Sequence, residues 1–169
     1  MRHRSAVAGL VLATVVMLGA ALSPVRMIAV TTAEEGALVC HPIGRDSTVT
    51  LVFTHSMYGG DVRETYVAAP GDRLLRTSIV TANAAAAEYY ATDGRIFRIT
   101  KGYRLLVPEQ TFDHLIFRID DIGKHRLLID GDTIALTDES GQSRQARLDV
   151  APSTIGGALL GRLGLSARC

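Results

Sequence analysis

His55 and Glu64 are the residues whose types and spacing best suit chemistry in this chain. They flank Gly59-Gly60, a dipeptide suited to a two-residue hairpin turn. With that turn, period-two alternation sets Met57 opposite Val62, His55 opposite Glu64 and Phe53 opposite Tyr66. A four-residue loop from Tyr58 to Asp61 gives the same partners. Directly opposed residues have Cβ atoms about 5 Å apart, close enough for an ion pair. Such a pair is costly to desolvate among Leu51, Phe53, Met57, Val62 and Tyr66. It could be a site for a ligand carboxylate, a pH-sensitive contact or a general base. It could equally be a structural pair sealing the end of a core, with Ser56 meeting backbone groups nearby. The structural reading is favoured, because ion pairs that serve structure are common. The residues expected at any ligand or partner contact are His55, Ser56, Glu64 and Tyr66.

Other chemistries find less support. No Gly-x-Ser-x-Gly elbow is present, and Ser56, next to His55 on a strand, would face the other way. A metal site could draw on Cys40, His41, His55, His114 and His125, but none of these has ligand spacing, so no metal is expected. No glycine-rich phosphate loop follows a strand and opens a helix, and no cofactor is expected. Asp120-Asp121 reads as a solvated turn without calcium-loop spacing. Trp is absent and aromatics make up 5% of the chain, which argues against a site of stacked rings. Lys and Arg number 18 against 17 Asp and Glu, with no basic stripe, so nucleic acid is not an expected partner. Cys40 and Cys169 permit one disulfide in an oxidising compartment, free thiols being the alternative.

The elements that must position these residues begin with an apolar N-terminus. Arg2 and Arg4 precede an uncharged run from Ser5 to Val25, about 21 residues and roughly 30 Å as a helix, near the thickness of a bilayer core. The arginines place the N-terminus inside and the rest outside, on the periplasmic side of an inner membrane. A cleaved signal peptide is the alternative, but Ala20-Ala21-Leu22-Ser23 before Pro24 is a poor cleavage site, and apolar character resumes at Met27-Ile28-Ala29-Val30. The expected organisation is an anchor over 1–30, a linker over 31–36, a β-rich domain over 37–152 and a Gly-rich tail over 153–169. The tail is too short and interrupted for a second span.

The domain reads as mainly β. Gly59-Gly60, Pro70-Gly71, Asp93-Gly94, Lys101-Gly102, Asp130-Gly131 and Ser140-Gly141 punctuate stretches of strand formers. That spacing predicts a single antiparallel β-sandwich or barrel-like domain after one transmembrane helix. Asp130-Gly131 predicts a type I′ hairpin pairing Ile129 with Asp132, Leu127 with Ile134 and His125 with Leu136. The run from Asn83 to Glu88 is either one helical turn capped by Asn83 or a packed loop.

The stretch from Thr54 to Tyr66 resembles the signature of a small bacterial family, domain of unknown function 1850. That pattern has His-Ser, then a Val, a Glu two later and an aromatic two after that, matched here by His55, Ser56, Val62, Glu64 and Tyr66. Leu74-Leu75-Arg76-Thr77, Phe117-Arg118-Ile119 and Leu127-Leu128-Ile129-Asp130-Gly131 resemble later family strands, so the resemblance spans about Leu38 to Val150. One departure is Thr81-Ala82-Asn83-Ala84-Ala85-Ala86, where the family has a Ser-Phe-Gly-Ala-Gly-like segment. The resemblance implies an anchored accessory protein of a TAXI-type tripartite ATP-independent periplasmic transporter. The implied partners are the transporter's membrane subunit or its substrate-binding protein. The resemblance supplies no reaction and no catalytic residue. An independent periplasmic ligand-binding or sensor module using His55 and Glu64 is the alternative, and a small hydrolase is the least favoured reading.

Overall fold

The computed structural model describes residues 14–91, 94–137 and 141–162. Residues 14–21 are helical and are labelled α1. Twelve strands follow among the described residues, most of them ended by the turn residues that the sequence displays. They are β1 (Pro24–Thr32), β2 (Gly36–Ile43), β3 (Thr48–Thr54), β4 (Asp61–Ala69), β5 (Arg73–Thr81), β6 (Arg95–Ile99), β7 (Gly102–Leu106), β8 (Gln110–Phe112), β9 (Leu115–Ile119), β10 (Arg126–Ile129), β11 (Asp132–Ala135) and β12 (Arg144–Thr154). Helix α2 (Ala84–Tyr90) follows β5 and α3 (Ile155–Arg162) follows β12.

The strands make two antiparallel sheets rather than a closed barrel. One has the order β2-β1-β12-β9; the other has the order β11-β10-β3-β4-β5-β7-β6, with β8 also pairing β5. Alternate residues of each point into a shared core. Ile28, Val30, Ile119 and Leu148 come from the first sheet, and Leu51, Tyr66, Leu74 and Leu127 from the second. Burying each such side chain stabilises the fold by about 1.5–3 kcal/mol.

The 130–131 hairpin forms as expected, and of the two alternatives at 83–88 the capped helix is the one adopted. Asp130 (φ 49°) and Gly131 (φ 100°) both take positive φ, as a type I′ turn requires. β10 and β11 pair in the expected register, Leu127 with Ile134 and Ile129 with Asp132, and Leu136 N–H donates to His125 O at 3.0 Å. Asn83 caps α2, its side-chain oxygen accepting from Ala85 N at 2.9 Å and Ala86 N at 3.4 Å.

Three expectations are corrected. The β3–β4 register is shifted by four residues from the expected one: Phe53 pairs with Val62, Leu51 with Glu64 and Val49 with Tyr66. His55 therefore does not oppose Glu64. The ladder ends early because the His55 ring turns back on the chain, as described below. A shift of four is even, so every side chain keeps its expected face.

At the N-terminal end, residues 24–30 are not part of an anchor, and 31–36 are not a linker. Met27-Ile28-Ala29-Val30 is buried because β1 is an inner strand, paired to β2 on one side and β12 on the other. Residues 1–13 lie outside the described residues. No helix among the described residues is long and apolar enough to cross a membrane.

At the C-terminal end, the segment expected as a Gly-rich tail is not separate from the domain: 153–154 complete β12 and 155–162 form α3. Cys169 lies outside the described residues. Cys40 stands in β2 opposite Ala29.

The fold has two poles. Arg26, near the start of β1, donates from Nη2 to Ala69 O at 2.7 Å and pairs through Nε with Asp72 Oδ1 at 3.1 Å. The start of β1 thus sits at the 70–72 turn, which joins β4 to β5. The 55–60 loop is at the other end of β4. Nine residues of strand separate the two ends by roughly 27–30 Å.

Candidate functional site

His55 organises the loop that joins β3 to β4. Its N–H donates to Gly60 O at 3.0 Å, and its carbonyl accepts from Gly59 N at 2.9 Å. Gly59 and Gly60 take φ of 66° and 78°, conformations that favour glycine. The ring then folds over the turn. Nδ1 accepts from Met57 N at 3.2 Å and from Tyr58 N at 3.3 Å. Local side-chain bonding to the backbone competes with the ladder here and ends it. Nδ1 is thereby occupied as an acceptor of two backbone hydrogen bonds.

Three tyrosines surround this ring. The His55 centroid is 4.9 Å from Tyr58, 5.3 Å from Tyr89 and 5.9 Å from Tyr90. Tyr89 and Tyr90 end α2, whose Ala86 and Ala87 are wholly buried. Asn83, at the other end of that helix, donates from Nδ2 to Tyr58 O at 2.7 Å. The start of α2 is therefore tied directly to the His55 loop. His55 is 8% exposed, whereas Met57 is 73% and Tyr89 59% exposed. A buried ring thus fixes a patch of exposed apolar and aromatic groups. Ser56 is exposed beside it; the His55 ring, not Ser56, bonds the backbone of the loop.

Glu64 and Tyr66 form a separate group on the inner face of β4. Tyr66 donates its hydroxyl hydrogen to Glu64 Oε2. Burial, then the Glu64 charge and this hydrogen bond, push the Tyr66 phenol well above its ordinary range. Tyr90 is pushed up to about 12, by burial first and then by the charge on Glu64. Arg76, opposite Tyr66 on β5, works against both shifts. It donates to Gln110 Oε1 at 3.0 Å and lies over the Phe112 ring at 5.5 Å. Tyr90 is the group that links the His55 patch to Glu64, by ring contact with the first and charge with the second.

His125 closes the space between the two groups. It stacks on Phe53 at 5.6 Å and tilts against Phe117 at 5.4 Å. Its Nδ1 is buried with no partner. Burial lowers its pKa, and Asp120 opposes the shift. A cleft of about 310 Å³ lies between His55, Tyr90, Arg118, Asp120 and His125, and a second of about 250 Å³ runs over Glu64, Tyr66 and Phe117. Among the described residues no three His, Cys, Asp or Glu gather as metal ligands.

The sequence reading brought out His55, Ser56, Glu64 and Tyr66 but missed Tyr58, Tyr89, Tyr90 and His125 as their neighbours. The signal was the Tyr89-Tyr90 doublet, conspicuous in a chain with five tyrosines. Tyr66 and Tyr90 are held neutral, and the ring nitrogen that would accept a proton from a substrate already bonds the backbone. The arrangement is suited to contact and recognition.

An antiparallel β-sandwich carrying an ordered aromatic loop is the class of protein that this fold and site define. The chain belongs to the Domain of unknown function family DUF1850, whose model matches residues 49–136. That span runs from β3 through the hairpin of β10 and β11 and contains the whole patch. No curated protein and no solved structure matched the sequence.

Proposed function

We propose that this protein is a membrane-anchored, periplasmic accessory protein of a TAXI-type tripartite ATP-independent periplasmic transporter, and that it meets its partner through the patch around His55. The observation that carries the reading is the construction of that patch. His55, one of the residues that carry the family resemblance, and Gly59-Gly60 are spent on fixing a loop whose Met57 and Tyr58 stand in solvent beside Tyr89 of α2. Exposed Met and Tyr on a rigid support are typical of protein contact surfaces. With β1 beginning at Pro24, the uncharged sequence that the anchor would use is 5–23, about 19 residues. The test is co-purification of the intact, tagged protein with the transporter's membrane subunit and substrate-binding protein. Met57→Asp and Tyr89→Ala should each lose the partner while the melting temperature is unchanged. Capture that is equal for wild type and both variants would contradict the patch.

A second reading is favoured by the 310 Å³ cleft beside the patch. There the protein is a ligand-binding or sensor module, and His55, Tyr90, Arg118 and His125 contact a small polar molecule. This replaces the expected His55–Glu64 pair, which the β3–β4 register separates. Retained melting with a lost ligand-induced stabilisation in Arg118→Ala would favour this reading over the first.

A further inference from the structure

We infer that α3 is a second membrane contact: it lies on the lipid surface beside α1 and holds the domain with its His55 pole turned away from the bilayer. The inference rests on the anchored reading and extends it.

Helix α1 is apolar and uncovered. Val15, Val16, Met17 and Leu18 of the helix, and Leu22 just after it, are all 60–71% exposed. A helix that is apolar on every side belongs in lipid or in a large core, and no core covers this one. Helix α3 adjoins its end. Ile155 N donates to Ser23 O at 3.1 Å, and a Cβ on Gly156 would stand 3.2 Å from Ala21 O. Thr154 caps α3 by accepting from Gly157 N at 3.1 Å. Ala158 is buried against the sheet, while Leu159 and Leu160 are 57% and 48% exposed. With Val25 and Pro42, Ile155, Ala158 and Leu159 line a groove of about 240 Å³. The exposed apolar groups of α3 thus continue the apolar surface of α1.

The polarity of the fold gives the consequence. α1 and α3 meet the sheet where Pro24 pairs with Thr154. Two residues on, Arg26 binds the 70–72 turn at the far end of β4 from the His55 loop. Lipid contact at α1 and α3 therefore places the aromatic patch roughly 27–30 Å further out, the length of β4. At that height the partner surface is the soluble part of the system rather than the membrane-embedded part.

The test uses the chain's lack of Trp. Single substitutions Val16→Trp, Leu160→Trp and Met57→Trp are made in the full-length protein, with Leu159→Trp as a second probe of α3. Each is reconstituted in vesicles of phosphatidylethanolamine and phosphatidylglycerol, with and without lipid brominated on its acyl chain. The expected result is blue-shifted, bromolipid-quenched emission at positions 16, 159 and 160, and unquenched emission at 57. Quenching at 16 with none at 159 or 160 would overturn the inference and leave the anchor standing. No quenching at 16 would overturn the anchor, and quenching at 160 would then support lipid contact by α3 alone. A blue shift at 160 without bromolipid quenching would mean that a second copy of the chain covers α3, and would also overturn it. Quenching at 57 would overturn the orientation.

Discussion

Asn83 Nδ2 donates to the carbonyl of Tyr58 at 2.7 Å, while Asn83 Oδ1 accepts the first free N–H groups of α2. One side chain therefore both starts the helix and ties it to the signature loop. Asn83→Ala should lose both bonds and lower stability by about 1 kcal/mol, a Tm drop of roughly 3–6 °C in a domain of this size. Asn83→Asp keeps the acceptor and loses the donor. Its melting should stay near wild type, while capture of the partner falls. Equal melting losses in both variants would show that the cap is not what Asn83 contributes.

Glu64 finds its partner in Tyr66 on the same strand rather than in His55. A double-mutant cycle distinguishes the two. Glu64→Gln and Tyr66→Phe should show a coupling of about 0.5–3 kcal/mol in urea unfolding. Glu64→Gln and His55→Gln should couple by less than about 0.5 kcal/mol. The reverse order would restore the ion pair that the register removes.

Stability should fall at both pH extremes for identifiable reasons. His125 is depressed by burial, so the unfolded chain binds its proton more readily. Its contribution is present above about 6.5, the ordinary histidine value, and is lost as pH falls through the lower folded value. His125→Phe keeps a ring against Phe53 and Phe117 and should flatten the acid limb of a Tm–pH curve. Tyr90 is raised, so its contribution is present below the unfolded value of 10.0 and is lost as pH rises through about 12. Tyr90→Phe should flatten that alkaline limb. An acid limb unaltered in His125→Phe would show that this ring does not carry the dependence.

If the domain is exported as proposed, Cys40 and Cys169 are expected to be joined in protein isolated without reductant. The bond closes a loop of about 130 residues, which a chain-entropy treatment values at roughly 4–5 kcal/mol. Mass spectrometry after alkylation without reductant should find no modified thiol. Two alkylated cysteines would refute the pairing.

Much of this fold is legible in local sequence. Asp130-Gly131 carries its own hairpin because both residues accept positive φ, and Asn83 carries its own helix cap. The faces of β3 and β4 are equally legible, since an alternating pattern survives any even slip of register. The register itself is not. It depends on the His55 ring bonding Met57 N and Tyr58 N, a local side-chain-to-backbone contact that no pattern of apolar residues encodes. β1 was obscured for a different reason. An inner strand buried on both faces has the same continuous apolar run as the end of a membrane segment. The candidate site was half visible: the signature residues lie close in sequence, but Tyr89, Tyr90 and His125 reach them only through α2 and the turn before β10.

The central claim is that an anchored domain presents the patch around His55 to a component of a TAXI-type transporter. The most direct measurement is site-specific photocrosslinking in intact cells, with a photoreactive amino acid at Met57 and, as a control, at Leu106, which is 61% exposed on β7. The account predicts one strong adduct from position 57 that contains the substrate-binding protein, weakened by Tyr89→Ala, and no such adduct from position 106. Position 57 yielding no adduct, or the same adducts as position 106, in cells that carry the assembled transporter would contradict it.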